Sequence, residues 1–273
     1  MSVSPHAGKS VIITGASSGL GAALAHEFAA AGSNLTLFSP EEERQKEVAE
    51  SCRARGGQAQ AVIGDVTDEA DCKALVEKAM AVYGRIDYVI ANAGISMWAS
   101  FEDVEDLGIF RKLMEVNYLG AVNCIYYALP HLKASKGMIV AITSIQSKIG
   151  VPRHTGYVAS KHALQGFCEA LRMELAGSGV DILTVLPHWL RGTDLRKRAF
   201  GAAGHALGES SRKHNKESVS VEDACAAIAK AVETRQRDLI IPWKLKALLG
   251  LNLVSPKRAE ALITGAVGKQ ENH

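Results

Sequence analysis

No apolar run in this 273-residue chain approaches the ~20 residues that cross a bilayer, and its first residues, MSVSPHAGK, contain no apolar targeting segment, so a soluble protein is expected. An excess of one charge is equally lacking. The net charge is +2 with acidic and basic residues interspersed, which excludes the basic stripe of a DNA or RNA partner. The five cysteines (Cys52, Cys72, Cys124, Cys168, Cys225) form no C-x-x-C pair. An odd count without a secretory signal points to reduced thiols in a cytoplasmic protein and gives no support to a metal site. No internal repeat or low-complexity tract interrupts the chain, and its 47% hydrophobic content can fill the core of a single α/β domain over residues 1–273.

What is present alternates. Apolar strand candidates occur at Val11–Thr14, Leu35–Phe38, Ala61–Ile63, Tyr88–Ala91, Met138–Thr143, Ile182–Leu186 and Leu239–Ile241. Helical patterns separate them at Glu41–Arg55, Glu69–Tyr83, Arg111–Leu132, Tyr157–Leu175 and Val221–Thr234. This order predicts a doubly wound, Rossmann-like parallel sheet of about seven strands with helices on both faces. Arg196–Ser220 has weak periodicity and reads as a mobile helical excursion over the carboxyl edge of the sheet, a substrate lid spanning about 188–220.

SVIIT runs from a strand into the glycine turn Thr14–Gly21, TGASSGLG, and then into a helix. A helix start offers unpaired N–H groups and partial positive charge, and Gly15, Gly19 and Gly21 let a pyrophosphate approach the backbone. Their spacing differs from G-x-G-x-x-G, so the turn alone is weak support for a dinucleotide. Tyr157 and Lys161 are four positions apart on a predicted helix, which puts both side chains on one face. An ammonium beside a phenol favours the phenolate and brings proton exchange nearer physiological pH. Ser144 follows a strand, where its hydroxyl can bond a carbonyl oxygen, and Asn117 sits inside a helix, where its amide can hold a water linking Lys161 to solvent. Singly these residues are a strand-end cap, a helix-interior amide and a solvated lysine; jointly they describe a site.

With Asn92-Ala93-Gly94 added, the set from Lys9 to Pro187 resembles the short-chain dehydrogenase/reductase (SDR) family. The resemblance implies an NAD(P)(H)-dependent oxidoreductase that transfers hydride between nicotinamide and a carbonyl or alcohol. It implies Tyr157 as general acid/base and Ser144 as the group positioning the substrate oxygen. Lys161 would hold the nicotinamide ribose and lower the tyrosine pKa, and Asn117 would support a proton relay. The cofactor set it implies is Gly15, Ser17, Ser18, Gly19, Leu20, Gly21, Ser39, Asp65, Val66, Asn92, Ala93, Gly94, Tyr157, Lys161, Pro187 and Thr193. Asp65-Val66 matches the adenine contact, and Asn92 the residue steadying the central strand. A homodimer or homotetramer through Arg111–Leu132 and Tyr157–Leu175 is also implied.

Two departures from the family pattern bear on specificity. After NLTLF the chain reads Ser39-Pro40-Glu41-Glu42-Glu43, a strong helix start in which Ser39 would be the cap. Three carboxylates and no arginine at that point favour NAD(H), although Arg44, Ser17 and Ser18 could coordinate a 2′-phosphate. After the sixth strand, Pro187 is followed by His188 rather than glycine, and Thr193 falls one position late. His188 and Trp189 would narrow the pocket. The wall expected from Ile95–Trp98, Ile145–Gln146, Pro152–His154 and the Trp189 loop is mostly apolar, with Met97, Trp98 and Leu190 against a hydrophobic body and Gln146 and His154 at its polar ends. A lipid-like, steroid-like or aromatic ketone is favoured over a sugar. The apolar segment at about 239–254 is a pocket wall, a subunit contact or a membrane-surface patch. The rival readings are a catalytically silent dinucleotide sensor or scaffold and an isomerase or dehydratase that retains its cofactor.

Overall fold

The computed structural model describes residues 4–193, 195–208 and 218–268. Its strands are β1 (Ser10–Thr14), β2 (Asn34–Ser39), β3 (Gln58–Ile63), β4 (Tyr88–Ala91), β5 (Met138–Ile142) and β6 (Asp181–Pro187), then a short parallel pair, β7 (Leu190–Arg191) with β8 (Val219–Ser220), and β9 (Asp238–Ile241). All but β7 and β8 join one parallel sheet in the order β3-β2-β1-β4-β5-β6-β9. Each strand candidate falls on one of these seven. Side chains of β1, β4 and β5 are buried throughout, as near-continuous apolar runs in a sheet covered on both faces require.

The helices are α1 (Gly19–Ala30), α2 (Glu42–Ala54), α3 (Glu69–Tyr83), α4 (Gly108–Met114), α5 (Gly120–Ser135), α6 (Thr155–Glu174), α7 (Val221–Glu233), α8 (Leu245–Val254) and α9 (Pro256–Gly268). The two-residue period of a strand splits the core into layers. Val11 and Ile13 of β1 pack with α1, α2 and α7. Ile12 points the other way, into α3, α5 and α6. Since the chain leaves β1 for β2 on one side and returns to β4 on the other, a crevice opens at the carboxyl ends of β1 and β4.

Three expectations change. The single helix expected over Arg111–Leu132 is α4 and α5 joined by a π-helical turn at Glu115–Leu119, which contains Asn117. Ser39 does not cap α2: it completes β2, and the helix starts from Glu41, whose N–H donates to Ser39 Oγ at 3.1 Å. The excursion is not helical among its described residues. Phe200 pairs with the Met97 segment, its N–H donating to Ser96 O (2.9 Å) and its carbonyl accepting from Trp98 N–H (2.8 Å).

His6 is buried edge-on against Phe28 (4.9 Å) and Tyr88 (5.9 Å). Its Nε2 lies 3.1 Å from Ala229 O, which requires the proton on that nitrogen, and Nδ1 is buried without a partner. A second proton would have no acceptor, and burial holds this imidazole below its ordinary 6.5. His26 is lowered likewise by burial. As the pH falls below 6.5 the unfolded chain takes up these protons first, so stability is full above that value and declines below it. Thermal melts from about pH 8 to about pH 5 should show that decline, and His6→Phe should flatten part of it, by at most about 1.4 kcal/mol per pH unit.

Candidate active site

β1 ends at Thr14, and the chain turns through Gly15 (φ 63°) and Gly19 (φ 55°), both in the left-handed region that favours glycine. A β-carbon on Gly21 would lie 2.2 Å from the Gly15 carbonyl oxygen and 2.6 Å from Asn92 Nδ2. Asn92 Nδ2 donates to Thr14 O (2.9 Å) and Gly15 O (3.3 Å). Thr14 Oγ1 in turn accepts from the N–H groups of Asn92 and Ala93, both at 3.0 Å. The two strand ends flanking the crevice are thus tied directly together. Ser18, the residue before α1, makes no side-chain cap bond, and the first turn of α1 carries no acid. This helix start fits an anion such as a pyrophosphate.

Tyr157 and Lys161 lie one turn apart on α6 and are both buried, with Lys161 Nζ 5.8 Å from the centre of the Tyr157 ring. Ser144 follows β5; its Oγ donates to Pro187 O at 3.4 Å and stands close enough to the Tyr157 phenol to lower its pKa. Its Oγ also accepts from Gln146 N–H at 3.1 Å. Lys161 Nζ donates to Ile142 O at 2.9 Å. The expected effect of the lysine on the phenol is not what dominates here: burial pushes Tyr157 up to about 12, against the Ser144 hydroxyl beside it, which lowers it, and burial pushes Lys161 down to about 8. Loss of hydration is the largest cause of both shifts.

Asn117 stands behind the cavity wall. Its Oδ1 accepts from Ile95 N–H (2.8 Å), and its Nδ2 donates to Ile95 O (2.9 Å) and Ser160 Oγ (2.9 Å). Both amide protons are used, so the side chain fixes the segment after β4 against α6. Gly94 lies in front, where a β-carbon would come within 3.2 Å of Asn117 Oδ1 and 3.4 Å of Lys161 Nζ.

At the end of β2, Glu41 alone of its run faces the cavity; Glu42 and Glu43 pair with Lys46 outside. Glu41 accepts hydrogen bonds from Ser17 Oγ (2.8 Å) and Ser39 Oγ, and its Oε1 lies 3.3 Å from Arg198 Nη1. Burial would raise its pKa, but the two hydroxyls and the guanidinium more than offset that and hold it low. The arginine missing after β2 is therefore supplied from the excursion. No local pattern signals Arg198, which lies 157 residues beyond Glu41.

These groups line one cavity of about 580 Å³. Every residue of the expected cofactor set reaches it, as do Ser144 and the six expected substrate residues. Thr193 sits beside the glycine turn, 3.6 Å from where a Gly19 β-carbon would lie. Met97 is fully buried, and Gly156 N–H donates to its sulfur at 3.2 Å, so it supports α6 as well as the wall. His154 packs edge-on to Trp98 at 4.8 Å. His188 stacks on Trp189 at 5.1 Å, and the Arg196 guanidinium lies 3.6 Å from the Trp189 ring centre. Ile145, Pro152 and Arg153 do not reach the wall. Leu195, Arg196, Arg198, Ala199 and Leu207 join it from the excursion, and Lys112 from α4. No residue between 240 and 254 lines it, which removes the pocket-wall reading of that segment.

Residues 9–203 match the family model described as short chain dehydrogenase. The chain is 43% identical over 169 residues to 11-beta-hydroxysteroid dehydrogenase-like 4A of Arabidopsis thaliana, covering 62% of this chain and 56% of that protein. It thus spans little more than half the length of that relative. To 11-beta-hydroxysteroid dehydrogenase A of Sesamum indicum it is 35% identical over 252 residues, or 88% of this chain and 72% of the relative. A short chain dehydrogenase/reductase from Burkholderia phymatum in complex with NAD shares the fold at a TM-score of 0.79 and 22% identity, covering 94% of this chain and 96% of that one. An alcohol dehydrogenase from the archaeon Thermococcus sibiricus complexed with 5-hydroxy-NADP does so at 0.73 and 23%, covering 85% and 95%. Among the described residues, no helix is long and apolar enough to cross a membrane.

Gly21→Ala should weaken dinucleotide binding at least roughly tenfold, a loss of about 1.4 kcal/mol, because the added carbon displaces the Gly15 carbonyl or the Asn92 amide. Fluorescence titration with NADH and NADPH measures it.

Proposed function

The chain belongs to the short-chain dehydrogenase/reductase family, and from that premise we propose that it is an NAD(P)-dependent oxidoreductase that interconverts a hydrophobic ketone and its secondary alcohol, with Tyr157 as the acid and base. The observation carrying this reading is the convergence of Ser144, Tyr157 and Lys161 on the cavity that also holds the glycine turn. Bound in that cavity, the nicotinamide supplies or accepts a hydride. The glycine turn and the first turn of α1 are suited to its pyrophosphate, and Asp65-Val66 to its adenine.

The residues divide the remaining work. Ser144 and Tyr157 line the same end of the cavity, so a carbonyl oxygen entering between them would meet two hydroxyl donors. In reduction Tyr157 gives its phenolic proton to that oxygen, and the ammonium of Lys161 stabilises the phenolate left behind. Burial keeps Tyr157 protonated and thus loaded for reduction, while Lys161, at about 8, is the group that titrates. kcat/KM for reduction should accordingly hold below about pH 8 and fall above it as the ammonium loses its proton. Asn117 acts as a positioning residue through Ile95 and Ser160.

The substrate end of the cavity, with Trp98, Trp189, Leu190, Leu195 and Leu207, favours a lipid-like or fused-ring carbonyl, in keeping with the hydroxysteroid dehydrogenase names of the plant relatives. For the cofactor the favoured form is NAD(H): Glu41 can accept from a ribose hydroxyl, and it engages Arg198, the guanidinium that would otherwise be available to hold a 2′-phosphate.

Tyr157→Phe should retain dinucleotide affinity and lose turnover by about 10²–10⁴-fold. Absorbance assays of a steroid, aromatic and long-chain ketone panel with NADH and NADPH in parallel test both this and the substrate class. Turnover near wild type in the variant would remove Tyr157 from its role. Product formed without net nicotinamide change would favour isomerase chemistry. Glu41→Gln should shift the NADH/NADPH ratio of kcat/KM towards NADPH by about tenfold, or about 1.4 kcal/mol.

A further inference from the structure

α8 and α9 pack against each other beyond the last strand of the sheet. α8, LKALLGLNLV, is apolar on nearly every side, yet none of its residues is buried. A helix of that composition is normally enclosed by protein or lipid. Its exposed residues are Lys246, Ala247, Gly250, Leu253 and Val254. These follow i, i+1, i+4, i+7, i+8 and form one outward stripe. Leu253 is 85% exposed and Val254 86%; Trp243 just before the helix is 71% exposed and Leu262 of α9 60%. Scattered apolar residues on a surface need no explanation, but a large apolar set on one helical hairpin marks a docking face.

The charges around it select the occupant. Between residues 242 and 268 stand Lys244, Lys246, Lys257 and Arg258, against the single acid Glu260. Among the described residues none of those four cations forms an ion pair. A second copy related by a twofold axis would bring this face against itself, cations towards cations. An anionic bilayer surface suits it better: apolar side chains enter the acyl boundary, Trp243 sits at headgroup depth and the lysines meet lipid phosphates.

We infer that the α8–α9 hairpin, with Trp243, Leu253, Val254 and Leu262 flanked by Lys244, Lys246, Lys257 and Arg258, docks the protein on an anionic lipid surface. The hairpin follows directly from β9, whose Ile241 pairs with Pro187 and accepts from His188 N–H at 2.8 Å. Docking would therefore hold the cavity wall at Pro187–Trp189 close to the lipid, a suitable arrangement for a substrate dissolved in it.

The test is flotation of the full chain with vesicles of phosphatidylcholine alone and with about one third phosphatidylglycerol, at low and high salt. The expected result is at least about tenfold more protein on the anionic vesicles, reduced by salt. Leu253→Glu/Val254→Glu and, separately, Lys244→Gln/Lys246→Gln should lose this binding while keeping the wild-type thermal melt. Absence of binding by the wild type, or equal binding by the folded variants, would overturn the inference. Should the wild type ignore vesicles and Leu253→Glu/Val254→Glu lower its mass in sedimentation, the face is a subunit contact and lipid docking is wrong. None of these readouts depends on carbonyl turnover.

Discussion

The site depends on how closely two strand ends approach. Gly21 lies where any β-carbon would enter the Gly15 carbonyl, and Asn92 fills the remaining space by donating to Thr14 and Gly15. That contact joins β1 to β4 where the strand order reverses, and so it sets the width of the crevice. The open start of α1 faces the crevice on one side. On the other, Gly94 leaves room for Asn117 and Lys161. One steric constraint thereby aligns the open start of α1 with the Tyr157–Lys161 pair.

Burial then decides the chemistry of that pair. In water a phenol and an ammonium on one helix face would favour each other's charged forms, but here both have left water, and the ammonium is engaged with Ile142 O. The free protein therefore holds a neutral phenol beside a lysine of lowered pKa. This is the state suited to giving a proton, and taking one back asks for added charge stabilisation when the cavity fills.

The excursion after β7 completes the cavity at both ends. Through Phe200 it bonds the segment carrying Met97 and Trp98, and through Arg198 it reaches Glu41 beside the glycine turn. The same stretch of backbone thus touches the substrate end and the expected adenosine end, a physical basis for cofactor and substrate to influence one another. It does so by turns and isolated bridges, so its place rests on a few hydrogen bonds and apolar contacts.

Much of the architecture was legible in the chain because it follows from local patterns. Apolar runs of strand length separated by helical periodicity led to seven parallel strands, and glycines, Asn92, Ser144, Tyr157 and Lys161 stood at positions whose spacing the secondary structure converts into proximity. Other features were decided by contacts between residues far apart. The π-helical turn around Asn117 accompanies its bonds to Ile95 and Ser160, Ser39 is drawn into β2 instead of capping α2, and Arg198 crosses the cavity to meet Glu41. The sequence left the segment carrying α8 open between a pocket wall, a subunit contact and a membrane-surface patch, and the fold decided that it lies away from the cavity. Composition and period determined which elements form and which residues share a face; desolvation, hydrogen-bond competition and the path of the excursion belong to the tertiary structure, because each depends on groups that only the folded chain brings within reach.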